Sequence, residues 1–436
     1  MATPVRPLVQ RRVLAVALAR MAESPVVLLE GPRTVGKSTL LRALAGQTGG
    51  ALLDLDDPLT RDAVATDPAT FLAHTDGPVF IDEYQRAPIV LDAIKAELNR
   101  DTRPGRYVLT GSTRHDALPA AAQSLTGRVS RIAVHPFAQV EIDGTRADLL
   151  DGLFRDPAAT VAAVPTSATT REDYVARIVA GGFPLARTQA AAARGRWFDE
   201  YVALTLERDV REISRVRQAP LLAALLNRLA GQTAQVLNVE RAARDVGLDP
   251  TTAERYLRLL EAVFLVHRLP AWGKTLNSRA SAAPKLHVLD SGLAARLLRL
   301  TVDKLARRDP SALSELGHLL ETFAVGEIQR QAGWTDDVVA TGHWRTHDDD
   351  EVDIVLERDD GAILAFEVKA AARVPGEAFR ALRKLRTAAG DAFLAGVALY
   401  LGDRSYNFED RLHVLPLDRL WVPQAPRRQP SSGYVR

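Results

Sequence analysis

Cysteine is absent from the 436-residue sequence, and methionine occurs only twice. The lack of thiols excludes disulfide bonds, thiolate zinc sites and cysteine nucleophiles. The chain also has no run of about 18 apolar residues, so we expect no membrane span. Its N-terminal stretch, MATPVRPLVQRRVLAVALARM, carries arginines within the apolar part and lacks a signal-peptide pattern. These absences predict a cytoplasmic protein and fit a reducing compartment.

An excess of one charge sign is also missing. Lysine and arginine number 56 and aspartate and glutamate 54, which gives a net charge of +2. The overall charge therefore does not predict a nucleic-acid-binding protein, although a local basic patch is compatible with it. Hydrophobic residues make up 47% of the chain, as in ordinary soluble proteins, and the length predicts about two to four domains.

Short apolar segments alternate with helical segments in the first third of the chain. The strand candidates are PVVLLE, ALLDLD, GPVFIDE and RYVLTGS. This alternation predicts an α/β fold, in which a parallel sheet has helices on both faces.

The stretch VVLLEGPRTVGKSTLL, residues 26–41, combines an apolar strand, a glycine-bracketed loop and a helical pattern. The loop fits the spacing G-x-x-x-x-G-K-[ST] of phosphate-binding loops. Its glycines let backbone N–H groups approach the phosphates, and Lys37 supplies charge for the β- and γ-phosphates. Ser38 is expected to ligate Mg²⁺, and the helix adds its positive N-terminus. The sequence thus predicts that ATP and Mg²⁺ are bound by Gly31, Pro32, Arg33, Thr34, Val35, Gly36, Lys37, Ser38 and Thr39.

An acidic pair follows a second apolar strand in PVFIDEYQRAP. Asp82 is predicted to hold Mg²⁺ through water, and Glu83 to position or activate the attacking water. A third strand, YVLTGS, ends in Thr110 and Ser112, where a hydroxyl can reach the γ-phosphate. From the residues alone, an alternative remains that these are two ordinary strand-end hydroxyls.

Four stretches, GPRTVGKSTLL, LDLDDP, FIDEYQRAP and VLTGS, resemble one family of AAA-superfamily ATPases. Members of that family carry a C-terminal domain of unknown function with a restriction-endonuclease-like core, and the likeness covers most of the chain. DEYQRAP followed by LTGS is more specific than a phosphate loop alone. The resemblance implies that the nucleotide chemistry belongs to Lys37, Ser38, Asp82 and Glu83, with Ser112 as sensor.

Two further positions fit such an ATPase. Arg128, in LTGRVSRIAVHPF, follows the ATPase strands, where an arginine can stabilise transition-state charge in ring-forming enzymes. The alternative is a solvated or ion-paired arginine, and the same applies to Arg131. GGFP, residues 181–184, resembles the glycine-x-proline turn that contacts the nucleotide in related signalling ATPases, through Gly182 and Pro184. A plain tight turn is the alternative.

Residues 237–266 resemble a winged helix, with two helices joined by GLDP and followed by strand-like runs. DNA recognition is one interpretation of this element. Packing between domains is the other, and Glu254 and Glu261 reduce the basic character of the second helix.

The stretch HWRTHDDDEVDIVLERDDGAILAFEVKA, residues 343–370, predicts a β-hairpin. Asp353 lies in its first strand, and Glu367 and Lys369 share one face of the second. An upstream helix, LLETFAVGEIQRQ, offers Glu321. A carboxylate followed by a carboxylate-x-lysine pair is typical of Mg²⁺-dependent phosphodiesterases, in which the carboxylates hold the metal and the lysine orients water.

WRTHDDDEVDIV and FEVKA also resemble the C-terminal domain of the same ATPase family. The resemblance implies a PD-(D/E)XK-like fold with Asp353, Glu367 and Lys369 as the catalytic motif. It implies Glu321 as the helical carboxylate, which joins Asp353 and Glu367 as metal ligands. A cross-strand salt bridge is the alternative. The acidic run Asp348–Asp350 is expected to repel a nucleic-acid backbone.

The predicted architecture therefore has six regions. They are a lead-in helix (1–22), an AAA-like P-loop core (23–136), a helical lid (137–230), a winged helix (231–304), a PD-(D/E)XK-like domain (305–421) and a disordered tail (422–436). Two functions remain open: an ATP-gated nuclease, or an ATP-dependent switch or scaffold, for example in a toxin–antitoxin or regulatory system, with a catalytically silent nuclease fold. A small-molecule kinase is a weaker third interpretation. DNA or RNA, a second copy of the chain or another protein are the expected partners beside ATP.

Overall fold

The structure, a computed structural model, describes residues 9–73, 77–114, 125, 127–146, 148–163, 166–210, 214, 219–273, 283–307, 310–335 and 337–423. The first helix spans Val13–Glu23, so it begins later than the predicted lead-in helix, of which residues 1–8 lie outside the described part. Immediately before it, the side chain of Arg11 and the backbone N–H of Arg12 bond to the carboxylate of Glu141. These bonds fix the lead-in segment on a distant part of the chain before the helix starts.

A five-stranded parallel sheet forms the N-terminal core, as predicted. Its strands are β1 (Val26–Glu30), β2 (Ala51–Asp54), β3 (Val79–Asp82), β4 (Tyr107–Gly111) and β5 (Val129–Ala133). The order is β2-β3-β4-β1-β5, and every pairing is parallel. The helices of this core are Lys37–Thr48, Pro58–Thr66, Pro68–Ala73 and Ile89–Leu98. Alternate residues of β1 enter two separate hydrophobic clusters, because the sheet is covered on both faces.

Helices dominate the next hundred residues. They span Gln139–Asp143, Leu149–Arg155, Pro157–Ala162, Arg171–Ala180, Pro184–Arg187, Ala191–Leu204 and Ala219–Ala230. A π-helical turn, Thr205–Asp209, continues the helix Ala191–Leu204. Such turns occur frequently at functional sites.

A small antiparallel sheet follows, with strands β6 (Gln235–Val236), β7 (Val266–Leu269) and β8 (Lys285–Val288) in the order β6-β8-β7. Two helices, Val239–Val246 and Pro250–Ala262, lie between β6 and β7, and Ser291–Leu297 and Val302–Ala306 follow β8. The two helices and the strand pair have the order predicted from the sequence. Their classification as a winged helix stays a prediction.

The C-terminal part is a six-stranded mixed sheet preceded by the long helix Pro310–Ala332. Its strands are β9 (Val338–Arg345), β10 (Glu351–Arg358), β11 (Ile363–Lys369), β12 (Phe393–Tyr400), β13 (Tyr406–Glu409) and β14 (Leu412–Pro416). The order is β13-β14-β12-β11-β10-β9, and the helix Arg380–Ala389 lies between β11 and β12. The predicted hairpin is present as the antiparallel pair β10–β11, while β11, β12 and β14 are parallel. Residues 424–436 of the predicted tail lie outside the described part.

Buried hydrogen bonds fix the C-terminal part against the helical region. The hydroxyl of Ser167 donates to Asp418 at 2.5 Å, and the backbone N–H of Gln139 donates to the carboxylate of Glu327 at 2.9 Å. Both carboxylates are buried. Separating the two parts would break these hydrogen bonds and is therefore unfavourable unless water replaces them.

In the part of the chain described above, no helix combines the length and the apolar character that a membrane span needs.

Candidate functional site

The predicted phosphate loop forms the turn between β1 and the helix Lys37–Thr48, at the carboxyl edge of the parallel sheet. Gly36 has φ +94°, a left-handed conformation that glycine adopts with little strain. The ammonium of Lys37 donates to the carbonyl oxygens of Gly31 and Pro32, each at 2.9 Å. Burial lowers the pKa of Lys37, and the charge of Glu83 opposes this effect. The lysine is thus held inside the loop by acceptors that phosphate oxygens could replace.

Asp82 ends β3 directly beside the loop. Its carboxylate accepts hydrogen bonds from the hydroxyls of Thr110 and Ser38. Burial raises the pKa of Asp82, and these two hydroxyls act in the opposite direction. The structure therefore brings together a hydroxyl and a carboxylate, which are the oxygen ligands that Mg²⁺ prefers. This donor set fits the metal predicted for Ser38 and Asp82.

Glu83 has φ +54° and lies next to the predicted sensor. The hydroxyl of Ser112 donates to the Glu83 carboxylate at 3.0 Å. The side-chain amide of Gln85 donates to Ser112 Oγ at 3.0 Å and also to Glu83. The backbone N–H of Glu83 donates to the hydroxyl of Thr110 at 2.9 Å. Sequence reasoning gave Gln85 no role, although its place two residues after Glu83 in DEYQRAP was the available signal.

Two contacts that the sequence did not reveal hold the loop from outside. The guanidinium of Arg33 donates to Asp209 of the π-helical turn at 2.6 Å, and the side chain of Asp209 is only 2% exposed. The guanidinium of Arg11 donates to the carbonyl oxygen of Val35 at 2.6 Å and to that of His135 at 2.8 Å. The phosphate loop is therefore tied both to the helical region and to the lead-in segment. The charged run LERD around Asp209 was a signal, but its partner is 176 residues away.

The turn Gly181–Pro184, called here the lid turn, packs on the start of the helix Ser291–Leu297. The backbone N–H of Gly182 donates to the buried carboxylate of Asp290 at 2.7 Å. The carbonyl oxygen of Gly182 accepts from the N–H of Phe137 at 2.9 Å. The nucleotide contacts predicted for Gly182 and Pro184 stay predictions. Asp290 was not among the predicted site residues, and its place directly before the helix Ser291–Leu297 in LDSGLAA was the available signal.

Gly181→Ala is expected to lower the free energy of unfolding by about 2 kcal/mol or more. Gly181 has φ +66°, and a Cβ atom there would lie 2.2 Å from Asp290 Oδ1. Urea unfolding measures the change. Gly46→Ala is the matched control, because nothing lies within 4 Å of a Cβ at that exposed helical position. The control should be neutral or stabilising by up to about 1 kcal/mol. Equal effects of the two substitutions would contradict the close packing of the lid turn.

Arg128 lies at the opposite edge of the parallel sheet from the phosphate loop. It directly precedes β5, whose first residue Val129 pairs with Val26 at the start of β1, whereas the loop follows the end of β1. Its guanidinium donates to the side-chain oxygen of Asn99 at 2.9 Å. Arg128 therefore does not reach the site of its own chain. A role across subunits stays a prediction.

The predicted residues of the C-terminal hairpin lie on one face. Asp353 and Glu367 are the next pair in the register beyond Ile354 and Phe366. The ammonium of Lys369 donates to Glu367 at 2.6 Å. Burial raises the pKa of Glu367 to about 8, and the charge of Asp353 adds to the rise. The structure thus assembles the three predicted motif positions.

A fourth group from another part of the chain lies among these carboxylates. The ammonium of Lys285, on β8, is 2.5 Å from Glu321 Oε1 and 2.9 Å from Asp353 Oδ1, and it also contacts Glu351. Burial lowers the pKa of Lys285, but the three carboxylates outweigh it and bring the pKa well above its usual value. We call Glu321, Glu351 and Asp353 the carboxylate cluster. Its ligand oxygens lie within 4.8 Å of one another, a spacing suited to a metal ion.

The donor set of the carboxylate cluster fits a divalent metal, but the ammonium stands where that ion would be. As placed, Lys285 and a metal ion exclude each other. Sequence reasoning predicted neither Lys285 nor Glu351. A lysine inside the apolar run PKLHVLD was the signal for Lys285.

Comparison with known proteins gives matches to three family models. An AAA domain matches residues 23–143, and two domains of unknown function, DUF8612 and DUF4143, match residues 171–304 and 316–420. The predicted AAA-type P-loop domain is thus confirmed. The description of the C-terminal match names no activity, so the restriction-endonuclease-like core stays a prediction.

The uncharacterized protein Rv2008c of Mycobacterium tuberculosis is 30% identical over 422 residues, which cover 95% of this chain and 85% of that protein. The uncharacterized protein Mb2031c of Mycobacterium bovis gives the same values. Among solved structures, the Walker-type ATPase PABY2304 of Pyrococcus abyssi shows 15% identity and a TM-score of 0.41, covering 67% of this chain and 99% of that chain. The RuvB Holliday junction branch migration motor of Thermotoga maritima shows 19% identity and a TM-score of 0.26, covering 59% and 87%.

Proposed function

This chain belongs to the family of the uncharacterized mycobacterial proteins Rv2008c and Mb2031c, and we propose that it hydrolyses ATP and uses the bound nucleotide as a switch. One observation carries the proposal. The ammonium of Lys37, the Ser38–Asp82 hydrogen bond and the Glu83 carboxylate all lie at one edge of the parallel sheet. Ligands of open α/β sheets bind at this edge.

Each of these residues has a distinct role in the proposed reaction. The loop N–H groups and Lys37 bind the β- and γ-phosphates. Ser38 and Asp82 would hold Mg²⁺, and the ion would neutralise phosphate charge. Glu83 orients a water molecule and accepts its proton as the water oxygen bonds to the γ-phosphorus. The bond to the β,γ-bridging oxygen breaks, and the products are ADP and phosphate. Ser112 and Gln85 keep the Glu83 carboxylate in position.

Two polar contacts lead from the nucleotide site toward the middle part of the chain. Arg33 joins the loop to Asp209 in the helical region. Gly182 of the lid turn joins that region to Asp290, two residues after the end of β8 in the β6-β8-β7 sheet. A change in the loop or the lid turn is therefore passed to the middle part of the chain. This is the basis for a switch rather than for hydrolysis alone.

Between the two predicted functions, we favour an ATP-dependent switch with a silent nuclease-like fold over an ATP-gated nuclease. We propose a PD-(D/E)XK-like fold for the C-terminal part, supported by the mixed sheet and by Asp353, Glu367 and Lys369 on one face. Lys285 in the carboxylate cluster argues against a metal ion there in this conformation.

For the middle part we propose a winged helix that packs domains together instead of reading DNA. Glu254 accepts hydrogen bonds from Arg258 and from Arg268, and Glu261 pairs with Arg268 as well. The acidic side chains thus neutralise Arg258 of the second helix and Arg268 of β7, which could otherwise contact phosphates.

The proposal is tested by assaying ATP hydrolysis of the full chain with Mg²⁺, with a chelator in place of Mg²⁺, and with DNA or RNA added. We expect Mg²⁺-dependent release of phosphate and no cleavage of either nucleic acid. Binding of a fluorescent, non-hydrolysable ATP analogue is measured in parallel. A chain that binds no analogue contradicts the proposal. Metal-dependent cleavage by the unmodified chain would instead favour the nuclease.

A further inference from the structure

Lys285 acts as an internal cation between two parts of the chain. It belongs to the β6-β8-β7 sheet, while the carboxylate cluster belongs to the helix Pro310–Ala332 and β10. Its side chain is only 1% exposed. A buried ammonium is stable only when anionic acceptors compensate for its lost hydration, and here three carboxylates do so. The cluster thus holds a positive charge, supplied by the protein itself.

Beside the cluster, Glu367 offers an oxygen that the protein does not satisfy. This carboxylate is 8% exposed and faces Asp353 across the hairpin. One of its oxygens accepts from Lys369. Within the residues that the structure covers, the other oxygen, Oε2, is buried and has no hydrogen-bond partner. A buried carboxylate oxygen without a donor is unfavourable, which points to a cation that binds there in another state.

Strand β8 connects this place to the lid turn. Lys285 is its first residue, and Asp290, two residues beyond its end, accepts the hydrogen bond from Gly182. From Lys285 to Asp290 the nearly extended chain advances by five residues, or roughly 16 Å at about 3.3 Å per residue. Hydrogen bonds to β6 and β7 hold the strand on both sides, so that it moves as a unit. A shift of the lid turn is thereby transmitted to the ammonium of Lys285.

We propose that Lys285 is a removable internal cation that blocks a divalent-metal site, and that movement of β8 with the lid turn opens this site. The metal ligands would be Glu321, Glu351 and Asp353, with the free oxygen of Glu367 completing an all-oxygen set suited to Mg²⁺ or Mn²⁺. The control by nucleotide rests on the proposed ATPase function. The exchange of Lys285 for a metal ion does not.

The first test uses the nucleotide-free full chain and Mn²⁺, with free Mn²⁺ measured by electron paramagnetic resonance. Each variant is also made with Asp353→Asn as a second substitution. The bound Mn²⁺ that this second substitution removes is counted as bound at the cluster. We expect essentially none for the unmodified chain and about one ion per chain for Lys285→Met. Lys304→Met is the matched control, because it removes a lysine that pairs with Glu315 outside the cluster and leaves Lys285 in place, and we expect it to bind no Asp353-dependent Mn²⁺.

Circular dichroism and binding of the fluorescent ATP analogue report whether Lys285→Met folds. Lys285→Gln, which retains a hydrogen-bond donor without the charge, serves if the methionine variant does not fold. A folded Lys285 variant that gains no Asp353-dependent Mn²⁺ overturns the proposal. Equal Mn²⁺ binding by the unmodified chain also overturns it, since Lys285 would then block nothing.

The second test adds the non-hydrolysable ATP analogue to the unmodified chain. We expect the analogue to bring about two Mn²⁺ ions per chain, one at the nucleotide and one at the cluster, with the second ion lost in Asp353→Asn. If the analogue binds but the second ion does not appear, the link through β8 is wrong. If the analogue does not bind, the ATPase proposal fails, while the result for the nucleotide-free variants stands on its own.

Discussion

Lys37→Ala is expected to weaken binding of the ATP analogue by at least about 100-fold, which corresponds to about 2.7 kcal/mol. The ammonium is the buried positive charge of the loop, and charge-assisted contacts to phosphate are among the stronger polar interactions. Hydrolysis should fall below detection at the same ATP concentration. Titration of the fluorescent analogue in the presence of Mg²⁺ measures the affinity.

Lys95→Ala is the control for this substitution, since Lys95 is exposed on the helix Ile89–Leu98 of the same sheet core. Its affinity should stay within about twofold of the unmodified chain, because surface substitutions rarely act at a distance. If Lys37→Ala binds the analogue as tightly as the control does, the loop is not the phosphate site.

Glu83→Gln is expected to slow ATP hydrolysis by about 100-fold or more while analogue binding changes by less than about threefold. The amide keeps the shape of the side chain and can still accept the hydrogen bond of Ser112. It can no longer take a proton from water, so the loss appears in kcat rather than in affinity. Single-turnover hydrolysis with saturating ATP separates the two effects.

Glu23→Gln is the control for replacing a glutamate by glutamine, because Glu23 is an exposed partner of Arg20 at the end of the first helix. Hydrolysis by that variant should match the unmodified chain. A Glu83→Gln chain that loses binding and turnover equally would show that the carboxylate supports the loop instead of acting on water.

The grouping of the predicted nucleotide-binding side chains was predictable because its signals are local in sequence. Lys37 and Ser38 follow one strand and Asp82 and Glu83 follow another. Since the carboxyl ends of parallel strands share an edge, the sheet predicted from alternating segments already places them together. The antiparallel hairpin carrying Asp353 and Glu367 was also predictable, because its two strands and its turn are adjacent in sequence.

Contacts between distant segments were not predictable in this way. Lys285 bonds to Asp353, which is 68 residues away in sequence, and Arg33 bonds to Asp209, which is 176 residues away. Nothing in the local pattern around either residue specifies the partner, because packing of whole domains decides it. A lysine in an apolar strand indicated only that some anion must compensate for it.

Arg128 shows a different limit. It stands near the ATPase motifs in sequence, but residues that directly precede a parallel strand lie at the amino edge of the sheet. Since β4 and β5 both run parallel to β1, the chain returns to the amino edge before β5 begins. Arg128 is therefore near the ATPase motifs in sequence but far from the phosphate loop at the carboxyl edge.

The π-helical turn Thr205–Asp209 contains one residue more than an α-helical turn would. Deleting that residue would rotate the side chains that follow by about 100° around the helix axis. Asp209 would then face away from Arg33, although no residue of the phosphate loop had changed. The extra residue of this distant helix therefore directs the Asp209 carboxylate toward the phosphate loop. Its deletion would break the contact between the loop and the helical region without changing the phosphate loop or the Asp82–Glu83 pair.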